Sequence, residues 1–167
     1  MVAVFISALI FLSGGCGSSA SSAPPVAAAE FTIDVRLAGE RLYRDLEYRD
    51  SLEELDPLIV YTLLGIDPDD VIEIMNYFSS GATAEEIIVL KASGSEALES
   101  LKAIIVERIE DQKNVYVSYA PEEVNYLKGA VVEVKGDYLL YCVPADGAAG
   151  KKLVGEIIAE AGRDKAK

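Results

Sequence analysis

The chain has 167 residues, 51% of them apolar, which suffices for one domain with a sizeable core and argues against a wholly disordered protein. Its 28 acidic residues outnumber 15 Lys and Arg, and the net charge of −13 repels nucleic-acid phosphates and disfavours a polybasic grip on anionic lipid. Histidine is absent, which excludes Ser-His-Asp and Cys-His catalysis, imidazole metal ligation and a histidine pH switch.

No charged residue precedes Glu30. Val2 to Leu12 is an apolar run broken only by Ser7. It is much shorter than the roughly 20 residues a membrane-spanning helix needs and has the length of a signal-peptide apolar region. Leu12-Ser13-Gly14-Gly15-Cys16 follows. Small residues before a lone cysteine, directly behind an apolar run, resemble the lipobox of bacterial lipoproteins. That resemblance implies a signal peptide over residues 1–15, cleavage before Cys16, and a diacylglyceryl thioether (palmitate-type chains) on its sulfur. Two or more acyl chains anchor stably, at about 0.8 kcal/mol per buried methylene. Ser13 stands where lipoboxes carry an aliphatic residue, and no Lys or Arg precedes the run, which a start codon assigned too late would explain. The competing readings are a short buried helix with a core cysteine, and cleavage after Ala27-Ala28-Ala29, which lies far from Leu12. Residues 16–29 then comprise the lipidated cysteine and a Ser/Ala/Gly/Pro tether reaching roughly 20 Å, and residues 30–167 a single folded domain.

Within that domain, Asp34 to Tyr48 has helical apolar spacing. Leu55 to Leu64 reads as a second helix, capped by Asp56 with Pro57 at its first position and stopped by Gly65. Asp67-Pro68-Asp69-Asp70 is a turn. Val71 to Phe78 and Glu85 to Lys91 are rich in strand formers and flank a five-residue hairpin loop, Ser79 to Thr83. A helical turn is the other reading of Val71 to Phe78. Ser93 and Glu96 form a capping-box pattern ahead of the longest helix, which runs to about Lys113. Pro121 to Leu127 is a short helix. Val131 to Lys135 and Tyr138 to Val143 flank Gly136-Asp137, a two-residue hairpin turn. That turn sets Val134 against Leu139 and Val132 against Tyr141 on one apolar face, with Glu133 and Lys135 on a wetter one. Gly150 to Ala161 closes the chain as a helix with Leu153, Val154, Ile157 and Ile158 inward. The order α-α-ββ-α-α-ββ-α predicts an α+β fold: two β-hairpins in a four-stranded, mostly antiparallel sheet, with helices packed on one face.

The strand ending at Lys91, the long helix with Arg108 and Gln112, the run Tyr119-Ala120-Pro121-Glu122-Glu123, Leu127, the hairpin with Gly136 and Tyr138, and Asp146 together resemble a family of bacterial lipoproteins known as domain-of-unknown-function family 4358. The resemblance covers about Glu53 to Ile158. It implies a lipobox cysteine and a small-residue tether, and it supplies no activity, so no catalytic residue is carried over.

Several constellations carry possible chemistry. From Asp50 to Glu86 there are ten acids and no Lys or Arg; Asp67-Pro68-Asp69-Asp70 lacks the glycine and distal glutamate of a calcium loop, so helix caps and a solvated face are the preferred reading and no metal is assigned. Gly147-Ala148-Ala149-Gly150-Lys151-Lys152 sits where a phosphate loop would, but has two residues between its glycines instead of four and no Ser or Thr after the lysine. Glu122 and Glu123 are adjacent on a helix and cannot easily flank one scissile bond. Cys142, without a histidine to make it a thiolate, reads as a half-buried packing residue. Arg108, Gln112, Tyr119 and Glu122 form the most specific polar set. They are expected to tie the long helix to the following loop, with Glu122, Glu123 or loop carbonyls as partners of Arg108, or else to line a shallow site for a carboxylate or peptide.

These readings converge on a lipid-anchored protein on the extracytoplasmic face of the cell membrane. It is a non-enzymatic binding or accessory module with no cofactor and no nucleic-acid partner. A protein or peptide partner is expected, with a surface of Tyr116, Tyr119 and Tyr126 as one place to meet it. The alternative is a cell-envelope hydrolase using carboxylates, against which the missing histidine, the absent Ser-x-x-Lys and the lone thiol all weigh.

Overall fold

A computed structural model describes residues 31–163. The signal peptide over 1–15, Cys16 and the tether to residue 29 lie outside the described residues. Five helices surround one four-stranded sheet: α1 Val35–Asp45, α2 Pro57–Leu64, a 3-10 turn Pro68–Asp70, β1 Val71–Phe78, β2 Glu86–Ala92, α3 Ser95–Tyr116, α4 Glu123–Lys128, β3 Val131–Lys135, β4 Tyr138–Cys142 and α5 Gly147–Arg163. The strands lie in the order β1-β2-β4-β3 and every pairing is antiparallel, so the fold is α+β. Among the described residues no helix is long and apolar enough to cross a membrane.

Local chemistry sets the boundaries. Asp56 caps α2 by accepting from Leu58 N at 2.9 Å, Pro57 occupies the first turn, and Gly65 ends the helix at φ 69°, a left-handed conformation that costs glycine nothing. The capping box at Ser93 and Glu96 does not form. Ser93 N donates to Asp70 O, and Gly94 takes the cap position with no side-chain bond. Gly136 turns the β3–β4 hairpin at φ 58°, and Val132 pairs with Tyr141 and Val134 with Leu139.

Helices cover both faces of the sheet, not one. On one face Ile88, Leu90, Leu139 and Tyr141 pack against Leu101, Ile105 and Ile109 of α3, Leu127 of α4 and Val60 of α2. On the other, Met75, Ile87, Val89, Leu140 and Cys142 pack against Val35, Ala38 and Leu42 of α1 and Leu153, Val154 and Ile157 of α5. The two inner strands β2 and β4 are therefore apolar on both faces, as a doubly covered strand must be. The face of the β3–β4 hairpin expected to be wet is wet only on β3, at Glu133 and Lys135; on β4 the same face carries Tyr138, Leu140 and Cys142, all buried.

Alpha5 begins three residues earlier than its spacing predicted, because Asp146 Oδ1 accepts from Ala148 N at 2.8 Å and Ala149 N at 3.3 Å. That carboxylate holds the amides a phosphate would need. The glycines of the same stretch serve close packing instead. A Cβ on Gly147 would lie 2.5 Å from the Gly129 carbonyl oxygen, and one on Gly150 would lie 2.8 Å from Pro144 Cγ.

At the β1 edge, Glu53 forms a one-residue antiparallel bridge with Phe78. Next to it the buried Asn76 side chain accepts from Leu55 N and donates to Leu55 O, both at 3.0 Å.

Candidate functional site

Two features stand out above the packed core: a buried cluster of charges where β2 begins, and an apolar stripe on the outside of α2. The cluster is built on Glu85 and Glu86. Both are buried, and the alternation of an extended chain sends them to opposite faces of the sheet.

On the α3 face, Glu86 receives Arg108 Nε at 2.9 Å and a short contact from Arg108 Nη2, together with Gln112 Nε2 at 2.7 Å and the Tyr141 hydroxyl at 3.3 Å. Arg108 and Gln112 lie one turn apart on α3, so both side chains reach the same carboxylate. Burial pushes the Tyr141 hydroxyl well above its ordinary range, which keeps it a neutral donor. Among the described residues, Gln112 Oε1 is buried without a hydrogen-bond partner.

On the other side of the strand, Glu85 binds the backbone amides of Arg49 at 2.8 Å and Asp50 at 2.9 Å, the Thr83 hydroxyl at 3.0 Å and Arg49 Nε at 3.2 Å. The remaining guanidinium nitrogens of Arg49 make a two-pronged contact with Glu123 at 2.6 and 2.7 Å, and Ala84 N donates to the same carboxylate at 2.9 Å. The guanidinium lies over the Tyr126 ring, 3.5 Å from its centroid. The hydrogen bond from Arg49 holds the Glu123 carboxyl below its ordinary range.

Tyr116 completes the closure of the β1–β2 loop by donating from its hydroxyl to Thr83 O at 2.7 Å. Every carboxylate here is met by charged or polar donors, so the cluster binds five segments together: the chain after α1, the start of β2, α3, α4 and β4.

Of the polar set read from the sequence, Arg108 and Gln112 meet, and their shared partner is Glu86. Glu122, Glu123 and the loop carbonyls before Tyr119 are not the partners of Arg108. Glu123 is engaged by Arg49, and Glu122 is exposed at the start of α4 with no capping bond from its side chain. Tyr119 is 62% exposed and touches the Tyr116 ring at 5.3 Å between centroids. The tyrosine surface does not form: Tyr116 is buried and Tyr126 lies beneath Arg49, leaving Tyr119 alone outside. Cys142 is fully buried instead of half-buried, and burial pushes its thiol up to about 12. Arg49, Glu85, Glu86 and Tyr141 escaped the sequence reading. The available signal was Glu85-Glu86 set directly against the apolar run Ile87 to Leu90, where an unpaired charge is costly.

The second feature needs no network. Alpha2 reads Pro-Leu-Ile-Val-Tyr-Thr-Leu-Leu, with no charge on any side. Only Val60 is buried, whereas Leu58 is 66%, Ile59 55% and Leu63 51% exposed. These three and Thr62 line one shallow depression. A second one, sharing Leu58 and Thr62, continues over Tyr61, Gly65, Ile66 and Pro68. The Thr62 hydroxyl donates to Leu58 O at 2.8 Å, so its polar atom is engaged within the helix. Among the acids between Asp50 and Glu86, Asp56 and Asp67 cap helical turns, and Asp50 accepts from the Ser80 amide and hydroxyl. Among the described residues, no group of three or more Cys, Asp or Glu is placed to hold a metal ion.

No curated protein and no solved structure matches the chain. A family model does, over residues 45–144, a span that begins at the last residue of α1, contains α2 and every member of the charge cluster, and ends just past β4. The chain therefore belongs to the family described as domain of unknown function DUF4358.

Proposed function

We propose that this protein is a lipid-anchored, extracytoplasmic binding module that meets a protein partner through the outer face of α2 and catalyses no reaction. The observation that carries the binding role is the exposed stripe Leu58, Ile59 and Leu63 on a helix without a single charge. Helices apolar on all sides are normally buried, and contiguous apolar patches on a soluble domain mark contact surfaces. The buried charge cluster supports a non-catalytic reading, because Glu85, Glu86 and Glu123 are all held by arginine donors. The anchor rests on the run Val2 to Leu12 and on Cys16 behind it.

Two measurements in cells producing the full chain test the two halves of this reading. Cys16→Ser is expected to lose incorporation of a palmitate analogue and to leave the membrane fraction; retained label in the membrane would refute the anchor. A photo-reactive residue at position 63 is expected to give a discrete protein adduct. The same residue at position 152, on α5 across the sheet, is expected to give none. Equal adducts from the two positions, or none from 63, would refute α2 as the binding face.

A further inference from the structure

We infer that the α2 stripe receives a cationic amphipathic segment of a partner protein, one whose apolar side chains are flanked by Lys or Arg. This rests on the binding-module reading and names the chemistry of the partner. The apolar half of the match is the row Leu58, Ile59, Thr62 and Leu63, continued by Ile66 and Pro68. The charged half is the rim. Asp56 stands at the N-terminal end of α2, and Asp67, Asp69 and Asp70 follow its C-terminal end, with Asp67 itself lining the second depression. None of these four makes an ion pair among the described residues. No Lys or Arg occurs along the chain between Asp50 and Glu86.

Charge then discriminates among occupants. A second copy of this chain would bring the same acidic rim against itself, and like charges face to face oppose a two-fold contact. An anionic lipid surface is repelled for the same reason. A segment with basic residues beside an apolar row satisfies both halves at once, the apolar contact supplying affinity and the charges supplying orientation and encounter rate. Alpha2 is eight residues long, about 12 Å, so the area is small and the contact belongs to the transient class.

The test uses the purified full chain and a fluorescein-labelled 14-residue peptide of Leu and Lys in helical spacing. The controls are a peptide of the same composition with scrambled spacing and one with Glu for every Lys. The expected result is saturable binding of the amphipathic Lys peptide, at least tenfold weaker binding of either control, and strong weakening by salt. The double variant Leu58→Ser/Leu63→Ser is expected to lose at least tenfold in affinity with an unchanged urea midpoint. Asp67→Asn/Asp69→Asn/Asp70→Asn is expected to flatten the salt dependence while keeping the scrambled control weak.

Equal binding of the Glu or scrambled peptide, or undiminished binding by the Leu58/Leu63 double variant, would overturn the inference. So would self-association in sedimentation, or retention by phosphatidylglycerol vesicles, that the double variant abolishes. Crosslinking from position 63 in cells keeps the two readings separable. An adduct there with no preference for the Lys peptide removes only the cationic occupant, whereas no adduct removes the binding face itself.

Discussion

Glu86 draws Arg108, Gln112 and Tyr141 onto one buried carboxylate. A buried ion pair adds little over a well-packed apolar pair, but removing one partner strands the other charge out of water. Arg108→Ala is therefore expected to lower unfolding free energy by about 3 kcal/mol in urea melts. Arg108→Lys should recover only part, since an ammonium cannot present two donors in a plane to Glu86 while leaving room for Gln112. An Arg108→Ala protein as stable as the parent would refute the structural tie. Arg49 follows the same logic with an added aromatic face: Arg49→Lys loses both the two-pronged contact with Glu123 and the flat stack on Tyr126.

Each element shows a different part of the code. Where a turn or cap fixes geometry within a few residues, the sequence was legible: Asp56-Pro57 and Gly65 bound α2, and Gly136-Asp137 set the β3–β4 register residue by residue. Alternation along β3, an outer strand, predicts helices on one face alone, and that alternation does not extend to the inner strands. The unbroken runs Ile87 to Leu90 and Leu139 to Cys142 already carried the signal of strands covered on both faces. The charge cluster was half legible. Arg108 and Gln112 declare themselves by spacing along one helix, whereas Arg49 meets Glu85 and Glu123 across 36 and 74 residues of chain, with no local pattern to announce it. The glycines at 129 and 147 were equally silent, since their role is the approach of α5 to the loop after α4. Gly147→Ala places a methyl group against the Gly129 carbonyl, a backbone atom that cannot rotate away. A loss of about 1–3 kcal/mol is expected in the same melts, while Gly155→Ala, with open space around it, should be neutral or slightly stabilising.

For the molecule as a whole, acid should loosen the closure that Arg49 makes between the chain after α1 and α4. A carboxyl held below its ordinary range in the folded state binds fewer protons there than in the unfolded chain. The stability that Glu123 contributes is therefore complete above the unfolded value, about 4.3, and is lost as pH falls through the folded one. Urea midpoints should decline on acidification below that range, and Glu123→Gln should start lower at pH 7 and decline less. An identical slope in the variant would assign the acid sensitivity to other groups.

The short bridge at Glu53 and the Asn76 side chain have a consequence for how copies of this domain behave at high concentration. A sheet polymerises through an unpaired outer strand, and β1 is the longest strand here. Part of its free side is already occupied by its own chain, at Phe78 by backbone and at Asn76 by an amide that imitates backbone. The opposite outer strand, β3, is five residues long and presents Glu133 and Lys135 to water. Neighbouring copies therefore meet one end of the sheet that is partly blocked and another that is short and charged, and both features oppose edge-to-edge extension under crowding.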